Sequence, residues 1–399
     1  MSNARAVRIR GPLTKYVDGF CDELSRQGYT PEPACVQLRL MAHLSRWLED
    51  LSLEAGDLNP ARLEDFLGAR RAAGCRELLS HRGLVPLTLY LTGLGVVPPV
   101  PDAVPTPNDL VVGAYRRHLV VDRGLAATTV AHYIAVARDV LAQWENAGRE
   151  LAGVSASDVS ALVLGACRHR NVPSAKALVT ALRSWLRFLG AEGLTAHDLA
   201  GAVPAVAGWR GGWIPRGLSE AEVTAVLGSV DTTTAVGLRD RAVLVLCARL
   251  AIRAGEVAGL VLDDVDWRQG EIVICGKGSR RDRLPLPVDV GEALVAYVRD
   301  GRPRVPSRAL FLRAHAPLVG LSPDGVGGIV ACAGNRAGVR ASAHRLRHSA
   351  ATAMLRGGAS LSEVGQVLRH ADVATTAIYA KVDHQALRTL AQRWPGGPA

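Results

Sequence analysis

"SAHRLRHSAATAML", residues 342–355, is the stretch on which the reading of this chain turns. It reads as a helix over 344–356, and on a helix His344, Arg347 and His348 fall at i, i+3 and i+4. One face then presents two imidazoles around a guanidinium. Three uses of such a face compete: solvated basic surface, metal ligation, or phosphate binding. Metal ligation fails because Arg345 stands where the zinc motif H-E-x-x-H needs its glutamate, and Arg347 would set a cation beside a cation. Phosphate fits better, since a guanidinium is a planar fork matched to phosphate oxygens and an imidazole adds a donor.

Three other stretches carry residues of unusual cost or chemistry. In "LAIRAGEVAGL", residues 250–260, Arg253 sits in an otherwise apolar helical run, and Glu256 three places later is its obvious partner. A structural ion pair and a phosphate clamp both remain open for it. "GKGSRRDRLP", residues 276–285, puts Lys277 between two glycines in a chain where 43 of 47 basic residues are Arg. A guanidinium never gives up its proton, so a general acid at this place needs Lys. A Walker loop is excluded, because Gly278 follows Lys277 where Ser or Thr is required. A glycine hairpin with a solvated lysine is the alternative. Last, "LRHADVATTAIYAKVD", residues 368–383, places Tyr379 nine positions after His370. A phenol with its ordinary pKa near 10 is a poor nucleophile unless a site activates it.

The totals narrow the class. A length of 399 residues implies two or three domains, and 48% hydrophobic with 21% charged content is ordinary for globular chains. The net charge of +10 favours a polyanionic partner. No apolar run approaches the ~20 residues that span a bilayer, and the start "MSNARAVRIRGPLTKY" lacks a secretory apolar stretch, so a cytoplasmic protein without membrane contact is expected. The seven cysteines are scattered and never spaced C-x-x-C, which argues against disulfides and a zinc site.

Periodicity divides the chain. Residues 1–95 read as helical, with "ACVQLRLMAHLSRWLEDL" amphipathic and "NPARLEDFLGARRAAG" capped by Asn59, started by Pro60 and stopped by Gly74. The proline-rich stretch 95–109 reads as a linker. Four helical patterns fill 107–200, followed by a second linker at 208–217. Ser219 and Glu222 then form a capping box that opens a third region over 216–399. There "RDRAVLVLCARL" reads as a buried helix, "EIVICGKGSRRDRLPLP" as two strands around a basic turn, and helices are expected at 290–299, 344–356, 361–369 and 373–393. Ser360 and Glu363 repeat the capping box.

In this order Arg253, Lys277, His344, Arg347, His370 and Tyr379 resemble the active-site signature of the tyrosine recombinases, the phage-integrase family. The resemblance covers about 107–393, and its most specific parts are H-x-L-R-H at 344–348 and the interval from His370 to Tyr379. Beyond the extra helical N-terminal region (1–95), whose role the sequence leaves open, it implies a mainly α protein: a helical, SAM-like core-binding domain (107–200) and a mixed α/β catalytic domain (216–399) with a small antiparallel sheet, the two closing on duplex DNA. It also implies site-specific recombination through a 3'-phosphotyrosyl bond, with no metal and no ATP.

In that scheme Tyr379 attacks, Arg253 and Arg347 hold the phosphate oxygens, Lys277 protonates the leaving oxygen, His344 acts as acid and base, and His370 bonds the phosphate. Glu256 and His348 orient these groups, while Arg280, Arg281 and Arg283 contact DNA. Four protomers would exchange strands on paired sites, alone or with other recombinases, and the tail "HQALRTLAQRW" would dock on a neighbour or on its own domain. Two alternatives share the residues: a type IB topoisomerase, and an inactive DNA-binding relative. Ala251, Gly255 and Arg369 depart from the family pattern. Arg369 replaces a Gly that favours a left-handed helix end, which leads to the expectation of an altered backbone beside His370.

Overall fold

The structure, a computed structural model, describes residues 7–97, 105–207, 217–276 and 280–369. Lys277, His370, Tyr379 and the helix expected over 373–393 lie outside the described residues. Two compact units emerge, one of Pro101–Gly212 and one uniting Met1–Val100 with Trp213–Ala399.

The first residues of the larger unit form α1 (Val17–Arg26), α2 (Pro31–Asp50), α3 (Pro60–Ala72) and α4 (His81–Gly93). Phe20, Leu44, Phe66 and Leu87 belong to their shared core. Asn59 accepts from the Arg62 N–H at 3.0 Å, and Pro60 occupies a first-turn place where its missing N–H costs nothing. Gly74 ends the element at φ +76°. This bundle touches the later part of its unit where the Gln27 carbonyl accepts from Leu318 N–H at 2.9 Å. Beside it Gly28 (φ +84°) lies so close to Leu318 that a Cβ would come within 2.3 Å of that side chain.

The smaller unit contains α5 (Pro107–Arg117), α6 (Ala127–Asn146), α7 (Ala156–Cys167) and α8 (Val172–Ala191). α5 begins inside the stretch read as a linker over 95–109. Pro107 is tolerated in a first turn, and Thr106 closes a capping box with Asp109, so the proline starts the helix instead of postponing it. At its centre the Tyr115 ring meets Trp185 at 4.8 Å and Phe188 at 5.0 Å between centroids. The buried phenol donates to Ser184 Oγ at 2.9 Å, and desolvation pushes its pKa up to about 12.

Residues from 217 onward build α9 (Glu220–Gly228), α10 (Ala235–Arg249), α11 (Ala254–Gly259), α12 (Val288–Ala296), α13 (Pro323–Arg336), α14 (Ala343–Arg356) and α15 (Leu361–Val367). The Ser219–Glu222 box opens α9, with the Ser219 N–H on the Glu222 carboxylate at 2.7 Å. α10 is apolar around its whole circumference only from Ala242 to Ala248, where Val243, Leu244, Val245 and Leu246 are all buried in the main core, while Arg239 and Asp240 before it form a buried ion pair.

Between α11 and α12 the sheet is antiparallel, in the order β1 (Val265–Asp266), β2 (Glu271–Cys275), β3 (Arg281–Pro285). Glu271 pairs with Pro285 and Cys275 with Arg281. Ile272 and Ile274 face the core, whereas Arg281 and Arg283 face solvent. Two strands were expected, and β1 makes a third: two residues are too few to show an alternation. α13 was also unforeseen, because its glycines mask the periodicity, yet Val326, Ile329, Val330 and Ala333 share a buried face.

Candidate active site

α14 brings the imidazoles together. Ser342 starts it by accepting from Arg345 N–H at 3.2 Å, and one turn later the His344 and His348 rings meet edge-on at 4.1 Å with Nε2 atoms 2.8 Å apart. One nitrogen must donate and the other accept, so at least one ring is neutral. Desolvation of the His344 ring lowers its pKa below 6.5, and the charges of Arg347 and then Arg253 lower it further.

Arg347 is only 4% exposed. Its Nη1 donates to the Ala251 carbonyl and its Nη2 to the Leu368 carbonyl. Both acceptors lie at left-handed turns: Ala251 itself has φ +52°, and Leu368 precedes Arg369 at φ +54°. An apolar patch of Ala251, Ala350, Ala351, Val364 and Leu368 seals the same place, joining α14, α15 and the turn after α10. Ala251 thus gives up the conformational freedom of glycine and gains a buried methyl.

That turn corrects the reading of Arg253. It does not lie within a helical run: α10 ends at Arg249, and Arg253 is the extended residue that caps α11, with φ −78° and ψ 152°. The Glu256 carboxylate accepts from the Arg253 backbone N–H and from its Nη1, each at 2.8 Å. Arg253 is therefore held by its own backbone geometry, with its side chain still 46% exposed.

Arg369 supplies a second correction. The backbone at 369 keeps the left-handed turn in spite of the bulkier residue, and the guanidinium folds inward, 4% exposed, to place Nη2 2.6 Å from Glu256 Oε2. Burial alone would raise the Glu256 pKa, but the Arg253 N–H, the Arg369 charge and the Arg253 guanidinium together hold it below 4.5. Sequence reasoning missed this contact, because the two partners are 113 positions apart.

The β2–β3 turn reaches the same carboxylate. A Cβ built on Gly276 would lie 3.9 Å from Glu256 Oε1, so the residue before Lys277 abuts the Arg253–Glu256 pair. Arg280, Arg281 and Arg283 stay exposed on the hairpin, near Asp282 at 2.9 Å, Asp264 at 3.8 Å and Glu271 at 3.1 Å. Chemically, the described residues bring together groups able to receive an anion: the Arg253 and Arg347 guanidiniums and the His344–His348 pair, on segments that continue in sequence to Lys277 and His370.

Known proteins point to the same class. The phage integrase family model matches residues 216–386. A protein of Sinorhizobium fredii (strain NBRC 101917 / NGR234) named as an integrase/recombinase, y4rA, is 39% identical over 97% of this chain and 95% of its own length. The tyrosine recombinase XerD of Mycobacterium tuberculosis is 36% identical over 71% of this chain and 95% of its own. Among solved structures, XerH recombinase bound to its difH substrate has a TM-score of 0.58 at 18% identity, covering 74% of this chain and 98% of that one. A lambda integrase dimer bound to a core site has a TM-score of 0.53 at 16% identity, covering 68% and 94%. The chain belongs to the tyrosine recombinase, or phage integrase, family and is a site-specific recombinase.

Proposed function

We propose that this recombinase breaks and rejoins duplex DNA with Tyr379 as nucleophile on a phosphate held by Arg253 and Arg347. The Tyr379 oxygen bonds to phosphorus, its proton passes to the His344 side of the site, and the bond to the 5'-oxygen breaks. Lys277 protonates that oxygen as it leaves, and His370 donates to the phosphate. Charge on the non-bridging oxygens grows in the transition state, which is where preoriented guanidiniums are most effective. The phosphotyrosyl bond retains the energy of the broken diester, so religation needs no nucleotide. His348 fixes the His344 ring, and Arg280, Arg281 and Arg283 exchange their surface carboxylates for DNA phosphates.

One observation carries the reading: Arg347 grips the carbonyl two residues before Arg253 and the carbonyl two residues before His370, so a single side chain ties three parts of the signature together. His344 senses both arginines, which supports a common site. Assembly as a tetramer on paired sites, in integration or transposition inside the cell, is the setting that the family resemblance implies; among the described residues no helix is long and apolar enough to cross a membrane.

The test is covalent capture. Full-length protein is mixed with a randomised duplex library bearing a central nick, and adducts that survive detergent are recovered and sequenced. Wild type should yield a recurrent sequence, and Tyr379→Phe should bind it with unchanged affinity and yield no adduct. An adduct persisting in Tyr379→Phe overturns the assignment. Relaxation of supercoiled DNA by monomers, without pairing of two sites, would favour the topoisomerase alternative.

A further inference from the structure

Glu256 is the most heavily engaged acid among the described residues of the site, and its partners are of two kinds. Arg253 approaches from its own turn and remains 46% exposed, whereas Arg369 comes from the far end of α15 and is 4% exposed. With Arg253 alone, the buried carboxylate would form a neutral pair, and most of the Arg253 charge would be spent inside the protein. With Arg369 present the group carries a net positive charge, and the exposed member of it is Arg253. Arg369 also leaves its buried Nε without a partner among the described residues and holds a left-handed φ of +54°, two costs with no return in packing alone.

We propose that Arg369 is a positioning residue of the phosphate site: it neutralises Glu256 from behind, so that Arg253 can turn its charge outward to an anion. This rests on the assignment of Arg253 to the phosphate. It also gives position 369 a second task, because the ion pair ties the residue that precedes His370 to the turn that carries Arg253. A glycine at 369 would ease the backbone, yet it would leave Glu256 free to draw Arg253 inward.

The two effects have opposite signs and can be separated. Arg369→Gly should release the left-handed strain but lose a buried ion pair, and should slow single-turnover adduct formation at saturating DNA by about 10- to 100-fold, with affinity for the recovered duplex little changed. Replacing the carboxylate should repair the defect: Arg369→Gly with Glu256→Gln should regain at least tenfold of the loss, and Arg369→Lys should retain part of the wild-type rate. A purely structural Arg369 predicts no rescue by Glu256→Gln, because that change removes yet another contact.

The same cycle is measured with inorganic phosphate by calorimetry, which needs neither the target sequence nor cleavage. Phosphate affinity should fall in Arg369→Gly and recover in the double variant. If wild type forms no adduct while this coupling holds, the recombination chemistry assigned above fails and the role of Arg369 stands. Rates within twofold of wild type in Arg369→Gly, or a double variant no better than the single in both assays, overturn the proposal.

Discussion

Arg253 and Arg347 have the same proposed duty toward the phosphate, but their surroundings predict that their loss will have different consequences for the fold. Arg347→Ala removes a guanidinium that is 4% exposed and bonded to the Ala251 and Leu368 carbonyls. Each buried carbonyl left without a donor costs about 1–3 kcal/mol, partly offset because the desolvated charge has gone too. A net loss of about 3 kcal/mol is expected, or a melting temperature lower by about 5–10 °C for a unit of this size. Arg253→Ala removes a half-exposed side chain, while Glu256 keeps Arg369 and still accepts from the residue 253 N–H at 2.8 Å. Its cost should stay under about 1 kcal/mol. Thermal melts and urea titrations of the full-length variants, run beside adduct formation, read both properties. Both variants should lose cleavage, and only Arg347→Ala should lose stability. Equal destabilisation by the two, or a wild-type melt for Arg347→Ala, refutes the reasoning.

Ala251→Gly trades about 1 kcal/mol of left-handed strain against roughly 0.8 kcal/mol for the buried methyl, so urea denaturation should place it within about 1 kcal/mol of wild type. Ala251→Val, β-branched at a φ of +52° and 0% exposed, should be clearly destabilised. The pKa of Glu256 is depressed from 4.5, so its contribution to stability is complete above 4.5 and is lost as pH falls through the lower folded value. Glu256→Gln should therefore weaken the protein at neutral pH and flatten its acid unfolding curve. His344 is depressed from 6.5, so the imidazole stays neutral somewhat below 6.5 and cleavage should persist there, failing on the acid side only as the ring protonates; an acid limb of the rate–pH profile that breaks above 6.5 contradicts this. Gly28→Val, at φ +84° and against Leu318, should loosen the N-terminal bundle, seen as faster proteolysis between it and the rest of its unit.

Local signals were legible wherever a residue reports on its neighbours. The capping boxes at Ser219 and Ser360, the Asn59 cap and the two strands around the basic turn all depend on contacts within a few positions, and they appear in the structure where the sequence marks them. The spacing of His344 and His348 likewise survives as a ring contact. Periodicity misled at Arg253, because the apolar run continues unbroken through the Ala251 turn: buried turns and buried helices have the same composition. It was silent at β1 and α13, one too short and the other too rich in glycine. Arg369 was conspicuous as the wrong residue for its place, yet its partner could not be read, since no pattern links positions 113 apart.

The distribution of contacts along α14 explains why the site and the fold are hard to separate. Ser349 accepts from Leu218 N–H at 2.5 Å, and Arg345 Nη2 donates to the Gly217 carbonyl at 3.3 Å, which seats the first described residues of this part of the chain on the helix. Gly217 packs closely there: a Cβ would lie 3.2 Å from the Ser349 backbone, so a larger residue would make the two segments give by a few tenths of an ångström. One turn around, Arg347 fixes the turn before Arg253 and the end of α15. A single helix thus determines where three distant segments stop. A shift of α14 by a fraction of a turn would misplace the arginines, the imidazoles and the exit toward His370 together, so partial assembly of the site is disfavoured. On the proposed assignment, that coupling has a use: one guanidinium ties the phosphate site to Leu368, two residues before His370 in the sequence. A variant that weakens this grip without removing the charge, such as Arg347→Lys, keeps one cation but cannot span two carbonyls. It should bind target DNA near wild-type affinity, cleave at least tenfold more slowly, and show increased hydrogen exchange confined to the end of α15. Unchanged exchange at α15 would show that the two carbonyls are held by something other than the guanidinium.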